Sequence, residues 1–157
     1  MPQEMRISGP HISAALLCEK VLNERDNVPS FIRVAERFNA NIVPPGVQLP
    51  PGLSAPLRLI QFMVVVILRA GDLPTGRYEM RIDLMKPNGE RLNSQDFSVF
   101  FNGSDDNGVT VLSPMGIPDP EEGLHWFDVF FENERITRIP LRVVYQTIQF
   151  VPAAPHG

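Results

Sequence analysis

The stretch GRYEMRIDLMKPNGE, residues 76–90, contains the clearest structural signal in the chain. Apolar and charged residues alternate along its first part, and this period of two is typical of a strand with one buried and one solvated face. The apolar residues are Tyr78, Met80, Ile82 and Leu84, and they alternate with Arg77, Glu79, Arg81 and Asp83. Asn88-Gly89 follows, and this dipeptide is the strongest short signal for a tight hairpin. The stretch therefore predicts one arm and the turn of an antiparallel hairpin.

The same period recurs in QDFSVFF (residues 95–101), GLHWFDVFF (residues 123–131) and ITRIPLRVVYQTI (residues 136–148). Pro140 in the last stretch cannot donate to a ladder, so it indicates an edge position or a bulge. Seven or eight short strands separated by proline- and glycine-rich turns predict an all-β, two-sheet antiparallel β-sandwich with little helix. A closed barrel is compatible with the same pattern, which does not demand closure.

The first third of the chain is open to two interpretations. Residues 12–24 fit either an amphipathic helix or a strand followed by a short turn of helix at residues 19–24. DNVPSFIRVAERF predicts one strand after the Asp26-Asn27 turn. Residues 43–56 contain five prolines and two glycines and predict a long loop. We expect a single domain over residues 1–157, with an ordered core at residues 11–150 and a C-terminal tail at residues 151–157.

Composition narrows the class of protein. The net charge is −4 and the arginines are scattered singly among acidic residues, so no basic patch predicts nucleic-acid binding. The N-terminus has neither the basic nor the apolar segment of a signal peptide. The longest apolar run, residues 59–68, is too short to span a membrane. With one cysteine, Cys18, the chain has no internal disulfide, and we expect a cytoplasmic protein that does not associate with membranes.

Three stretches together resemble a known family. ALLCEKVLNERDNVPSFIRVAERF, GRYEMRIDLMKPNG and GLHWFDVFFENERITRIPLRVVYQ look like a family of small bacterial proteins described as a domain of unknown function. The resemblance covers residues 12–148, and the second and third stretches also resemble immunoglobulin-like and C2-like sandwich modules. It implies a compact β-sandwich, a strand at residues 12–18 and no assigned chemistry, so no functional residue is carried over.

No catalytic or cofactor motif stands out. A thiol–imidazole pair of Cys18 with His11 or His125 would support a hydrolase, but a lone cysteine between apolar residues is usually a small buried hydrophobe. No glycine-rich loop follows a strand and opens a helix, so no nucleotide site is predicted. Arg138 and Arg142 share a polar face, and two arginines are more typical of a solvated surface than of a phosphate site. We therefore predict no enzyme and no cofactor.

Acidic residues in two loops raise the alternative of a Ca²⁺- or carbohydrate-binding β-sandwich. Calcium takes six to eight oxygen ligands, several of them from carboxylates. Asp-Asn-Gly is first a turn signature, however, and the second loop has the composition of ordinary solvated chain. We therefore predict no metal site, and the candidate ligands are Asp105, Asp106, Asp119, Glu121 and Glu122.

Three predicted strands, within residues 59–68, 97–101 and 126–131, carry apolar residues on both faces. A strand with one face in water should not do so. If those strands share one sheet, its outer face is covered either within the chain, by the 43–56 loop or an N-terminal helix, or by a protein partner. A homo-oligomer is the simplest partner, since two-fold association needs only one self-complementary patch. The sequence thus predicts a non-enzymatic interaction or structural module of the bacterial cytoplasm, and one form of this role is a subunit of a larger assembly. The predicted surface consists of Trp126, Phe130, Phe100, Met63 and Val65.

Overall fold

The computed structural model describes residues 8–43, 46–52, 59–103 and 108–147, and these residues form nine strands and no helix. The all-β prediction is confirmed, but the expected count of seven or eight strands is wrong. The strands are β1 (His11–Asn23), β2 (Pro29–Val34), β3 (Arg37–Ile42), β4 (Leu59–Arg69), β5 (Gly76–Met85), β6 (Arg91–Phe101), β7 (Val109–Pro118), β8 (Gly123–Phe131) and β9 (Glu134–Thr147).

The strands form two sheets. One has four strands in the order β2-β1-β4-β7, and the other has five in the order β3-β9-β8-β5-β6. All pairings are antiparallel except that of β3 with β9, which is parallel, so the expectation of a purely antiparallel sandwich is corrected at that edge. The sheets pack through their apolar faces, as the alternation in β5 predicts: Met80, Ile82 and Leu84 are buried while Arg77 and Glu79 are exposed.

Residues 12–24, which fitted either helix or strand, form most of the long strand β1. β1 pairs with β4 on one side and with β2 on the other, and it continues to Asn23 without a turn of helix. Leu17, opposite Val64, is buried towards the other sheet, and Cys18 points to the outer face opposite Met63. Tertiary pairing thus overrides the partial helical period of this segment.

The prediction of one strand over DNVPSFIRVAERF is wrong. The strand is interrupted at Ala35-Glu36, where the chain passes from β2 in the four-stranded sheet to β3 in the five-stranded sheet. Arg33 just before the break has a φ of 53°, a left-handed conformation that few non-glycine residues adopt. Neither glycine nor proline marks this corner, so the sequence contains no turn signal for it.

The two sheets meet around Phe62 of β4 and Phe127 of β8. Their rings are 5.2 Å apart at 85°, the edge-to-face arrangement that aromatic pairs favour. At one end of the core, Tyr78 stacks on Phe131 at 5.3 Å. Edge strands β6 and β7 are joined across the sandwich, where Gln95 accepts a hydrogen bond from the Ser113 hydroxyl.

Pro140 lies where β9 has a neighbour on one side alone. It is opposite Trp126 of β8, and the parallel pairing with β3 begins two residues later at Arg142. The prediction of a local edge position is therefore confirmed. The irregularity between β8 and β9 lies elsewhere, between Val129 and Phe130.

The three strands with two apolar faces do not share a sheet. β4 belongs to the four-stranded sheet, while β6 and β8 belong to the five-stranded sheet and are separated by β5. The expectation of one common apolar surface is therefore wrong. Local alternation indicates which side chains share a face of one strand, but it does not indicate which strands are neighbours.

Candidate interaction surfaces

The outward side chains Trp126 and Phe130 of β8 are half-buried beneath two arginines of neighbouring strands. The Arg138 guanidinium of β9 lies 4.4 Å from the centre of the Trp126 ring system. The Arg81 guanidinium of β5 lies 4.3 Å from the Phe130 centroid. Such cation–π contacts contribute about 0.5–2 kcal/mol each. The second apolar face of β8 is thus covered within the chain by cationic side chains.

Two buried carboxylates hold those arginines in place. Asp128 lies between Trp126 and Phe130 on β8, and its cross-strand partner on β5 is Asp83. Arg138 Nε donates to Asp128 at 2.6 Å, and Arg81 Nε donates to Asp83 at 3.1 Å. Asp83 also accepts a hydrogen bond of 2.6 Å from the Ser94 hydroxyl. Two carboxylates directly opposite each other repel, and these hydrogen-bond donors offset that repulsion.

The other outer face, that of the four-stranded sheet, is apolar across all four strands. Val65 lies at its centre, with Leu16 of β1 and Leu112 of β7 opposite it. The neighbouring row contains Val34, Cys18, Met63 and Pro114. Val65 and Cys18 are fully buried, whereas 56% of Val34 and 38% of Leu112 are exposed. We call these seven residues the apolar face.

The predicted surface residues therefore fall on two different surfaces. Met63 and Val65 belong to the apolar face, and Trp126 and Phe130 belong to the opposite side of the sandwich. Phe100 lies on the edge strand β6, 58% exposed and opposite Arg77 of β5. The structure brings Trp126 and Phe130 together on one strand face, but neither joins Phe100 or the apolar face in one patch.

The candidate calcium ligands do not form a cluster in the part of the chain that the structure describes. Asp105 and Asp106 lie outside the described residues. Asp119, Glu121 and Glu122 lie at and just after the end of β7, and a Glu121 oxygen is 3.6 Å from the Lys86 ammonium. Over those described ranges, no three His, Cys, Asp or Glu residues come together as metal ligands would.

The thiol and the two imidazoles considered for nucleophilic chemistry are far apart. Cys18 is on the outer side of β1, and burial raises the pKa of its thiol, which opposes thiolate formation. His11 is seven residues away on the same strand, a separation of about 23 Å. His125 is buried in the other sheet, where burial lowers the pKa of its imidazole. Burial therefore disfavours the reactive form of Cys18, and neither imidazole is placed beside it.

A groove of about 720 Å³ opens at the corner where the chain passes from β2 to β3. Its floor consists of Leu17, Ile60, Phe62 and Leu141, from both sheets, and Glu19, Arg33, Glu36 and Arg37 are at its rim. Arg33 is held there by Glu19 at 3.1 Å. No local motif predicted this groove, because its walls come together through the arrangement of the strands alone.

The described residues include no helix able to cross a membrane.

Comparison with known proteins places the chain in a family. The model of a family of unknown function, DUF6941, matches residues 51–144. The chain belongs to this family. The DUF6941 match covers β4 to β8 and most of β9, and it confirms the predicted membership in a family of unknown function. No curated protein matches the chain.

Solved structures similar to this DUF6941 chain include two of a glycosyl hydrolase family 2 member from Bacteroides cellulosilyticus. The first, from strain DSM 14838, is 10% identical, with a TM-score of 0.45 over 55% of this chain and 13% of that one. The second is 11% identical, with a TM-score of 0.43 over 54% of this chain and 12% of that one. The chain thus spans about an eighth of the length of either structure, and a likeness at this level supports no argument about function.

Proposed function

We propose that this DUF6941 domain is a non-enzymatic interaction module that self-associates through the apolar face of its four-stranded sheet. The observation that supports the proposal is the run of apolar side chains across all four strands, with Val34 and Leu112 exposed at its margins. On a sheet face that is in contact with water, the outward side chains are usually polar, as they are on the outer side of β5. An apolar patch of this kind is typical of a protein-interaction site.

The size of the sheet limits how large an interface this face can form. Four strands at about 4.8 Å spacing give a width of about 19 Å, and the eight steps from Leu59 to Ile67 give a length of about 26 Å. The outer side of this sheet thus measures at most about 500 Å². Because Val65 and Cys18 are already buried within the chain, the surface open to a partner is smaller and is formed by Val34, Met63, Leu112 and Pro114, which fits a weak or transient interface. Lys20 of β1 and Gln61 of β4 are each two residues beyond the row of Cys18 and Met63, and both are exposed, as residues of a polar rim would be.

A second copy of the chain is the partner that this face fits best. The apolar face contains no charged residue, so it has no like-charge repulsion against its own copy. A two-fold dimer needs only one self-complementary patch.

Leu112→Lys tests the proposal, with Leu92→Lys as the matched control. The two leucines are 38% and 37% exposed, but Leu92 lies on β6 of the other sheet. We expect Leu112→Lys to weaken self-association by at least about tenfold, because a buried interface charge loses its hydration. Leu92→Lys should keep the wild-type assembly state. Multi-angle light scattering over a concentration series measures both.

Two results would count against self-association through this face. One is a wild-type protein that stays monomeric at the highest concentration at which it remains monodisperse. The other is an equal loss of assembly in the two lysine variants, since a general charge effect would then explain both.

A further inference from the structure

Arginine is concentrated on the outer side of the five-stranded sheet. Of the ten arginines that the structure describes, seven lie at outward positions there, against four acidic residues, although the whole chain has a net charge of −4. This excess of three positive charges is produced by the fold, because the arginines are spread over residues 37 to 142. The arginines are Arg37, Arg77, Arg81, Arg91, Arg135, Arg138 and Arg142, and the acids are Glu79, Asp83, Asp96 and Asp128.

Four of the seven arginines are held by the two buried carboxylates. Arg81 and Arg91 pair with Asp83, and Arg135 and Arg138 pair with Asp128. The side chains of the other three, Arg37, Arg77 and Arg142, make no hydrogen bond or ion pair within the described part of the chain. The positive charge available to a partner is therefore that of these three residues.

Two of these three arginines are neighbours. Arg37 of β3 is the register partner of Arg142 of β9 in the parallel pair, and both are exposed. Neighbouring strands are about 4.8 Å apart, and like charges directly opposite each other are destabilising. A bound anion would relieve that repulsion, and the planar fork of arginine fits a carboxylate through two parallel hydrogen bonds.

The surroundings of this pair add an apolar contact area. Leu124 of β8 is the register partner of Arg142 on the other side, and Trp126 lies two residues further along β8, opposite Pro140. Trp126 is held under Arg138, so its ring is fixed before any partner arrives. Tryptophan and arginine are enriched among the few residues that contribute most of the binding energy of protein interfaces.

We propose that the corner formed by Arg37, Arg142, Leu124 and Trp126 binds an acidic segment of a partner protein that has an apolar residue beside its carboxylates. A long phosphate backbone fits this surface less well, since the acidic side chains of Asp83, Asp128, Glu79 and Asp96 continue across the same side. A short acidic segment contacts the corner alone. The site is on the opposite side of the sandwich from the apolar face, so either proposal can fail without the other.

A direct test uses a short fluorescein-labelled polyglutamate peptide and the full chain at low salt, followed by fluorescence anisotropy. We expect binding that weakens roughly tenfold in Arg142→Glu and in Arg37→Glu, because each replaces a cation that faces the peptide with an anion. Arg25→Glu is the matched control: it makes the same change in net charge at an exposed arginine of the β1–β2 turn and should change the affinity less than about twofold. The single tryptophan, Trp126, should report binding through a change in its emission.

Three outcomes would overturn the proposal. The first is no binding of the peptide by the folded wild-type chain. The second is the same loss in Arg25→Glu as in the two corner variants, which would indicate a general charge effect. The third is tighter binding of a thymidine oligonucleotide of equal charge through Arg37 and Arg142, which would assign the corner to nucleic acid instead.

Discussion

Arg138 forms both an ion pair with Asp128 and a cation–π contact with Trp126, so its removal should affect both interactions. Arg138→Ala leaves the buried Asp128 with Arg135 at 3.7 Å as its remaining ion pair and uncovers Trp126. We expect the free energy of unfolding to fall by about 2 kcal/mol, since a hydrogen bond to a buried charge is lost. The emission of Trp126, the single tryptophan, should shift to the red. Urea denaturation followed by that fluorescence measures both effects.

Arg142→Ala is the control on the same strand. Arg142 also points outwards from β9, but its guanidinium has no hydrogen-bond or ion-pair partner within the described residues, so truncating the side chain should change stability by less than about 0.5 kcal/mol. Equal stability of the two variants would show that the contacts of Arg138 contribute nothing to the fold.

The sequence predicted this part of the surface incompletely. Period-two alternation correctly placed Trp126 and Phe130 on the outer side of β8. The cover by Arg138 and Arg81 was not predictable, because it depends on which strands flank β8 and in what register. A lone Asp128 between two aromatic residues was the local signal that a paired charge lies there, since a buried carboxylate needs a partner.

At the scale of the element, the β5–β6 hairpin depends on the conformation of one glycine. Gly89 has a φ of 86°, and its N–H donates to the Lys86 carbonyl oxygen at 2.9 Å. A methyl group at Gly89 would contact nothing within 4 Å, so Gly89→Ala tests the backbone alone. We expect a loss of about 1–2 kcal/mol in a thermal or urea melt, the cost of a left-handed conformation for alanine.

Gly76→Ala, at the start of the same hairpin, is the matched control. Gly76 has no left-handed φ, and an added methyl group there would lie 3.8 Å from the Tyr78 ring, an ordinary contact. This change should be neutral or slightly stabilising, because alanine restricts the unfolded chain. A Gly89→Ala protein as stable as Gly76→Ala would mean that the turn tolerates another conformation.

Strands with a strict period were predictable, and strands defined by their neighbours were not. The stretch GRYEMRIDLM is β5 from its first to its last residue, because alternation and the Asn88-Gly89 turn agree. β3 was missed as a separate strand: RFNANI contains two asparagines, and its strand conformation depends on parallel pairing with β9. Such pairing leaves no local signature.

At the scale of the whole molecule, the sequence indicated two packed sheets but not the order of their strands. The composition of the loops does not determine whether β4 lies beside β1 and β7 or beside β8. The packing of the complete core determines it. This is why the predicted surface joined Val65 with Trp126, although the two residues lie on opposite outer sides of the sandwich. Each of the two faces proposed as binding surfaces contains part of that prediction.

The two sheets should unfold together, because they share one core. Phe127 is fully buried in the five-stranded sheet and its ring meets that of Phe62 from the other sheet, so Phe127→Ala removes a contact between the sheets. We expect a loss of about 3–5 kcal/mol, and Phe100→Ala, with its ring 58% exposed, should cost less than about 0.5 kcal/mol. Trp126 fluorescence reports on the five-stranded sheet and far-ultraviolet circular dichroism on both, and their urea transitions should coincide in each variant. Separate transitions in the wild-type chain, or equal costs for the two substitutions, would show that the sheets are stabilised independently of this contact.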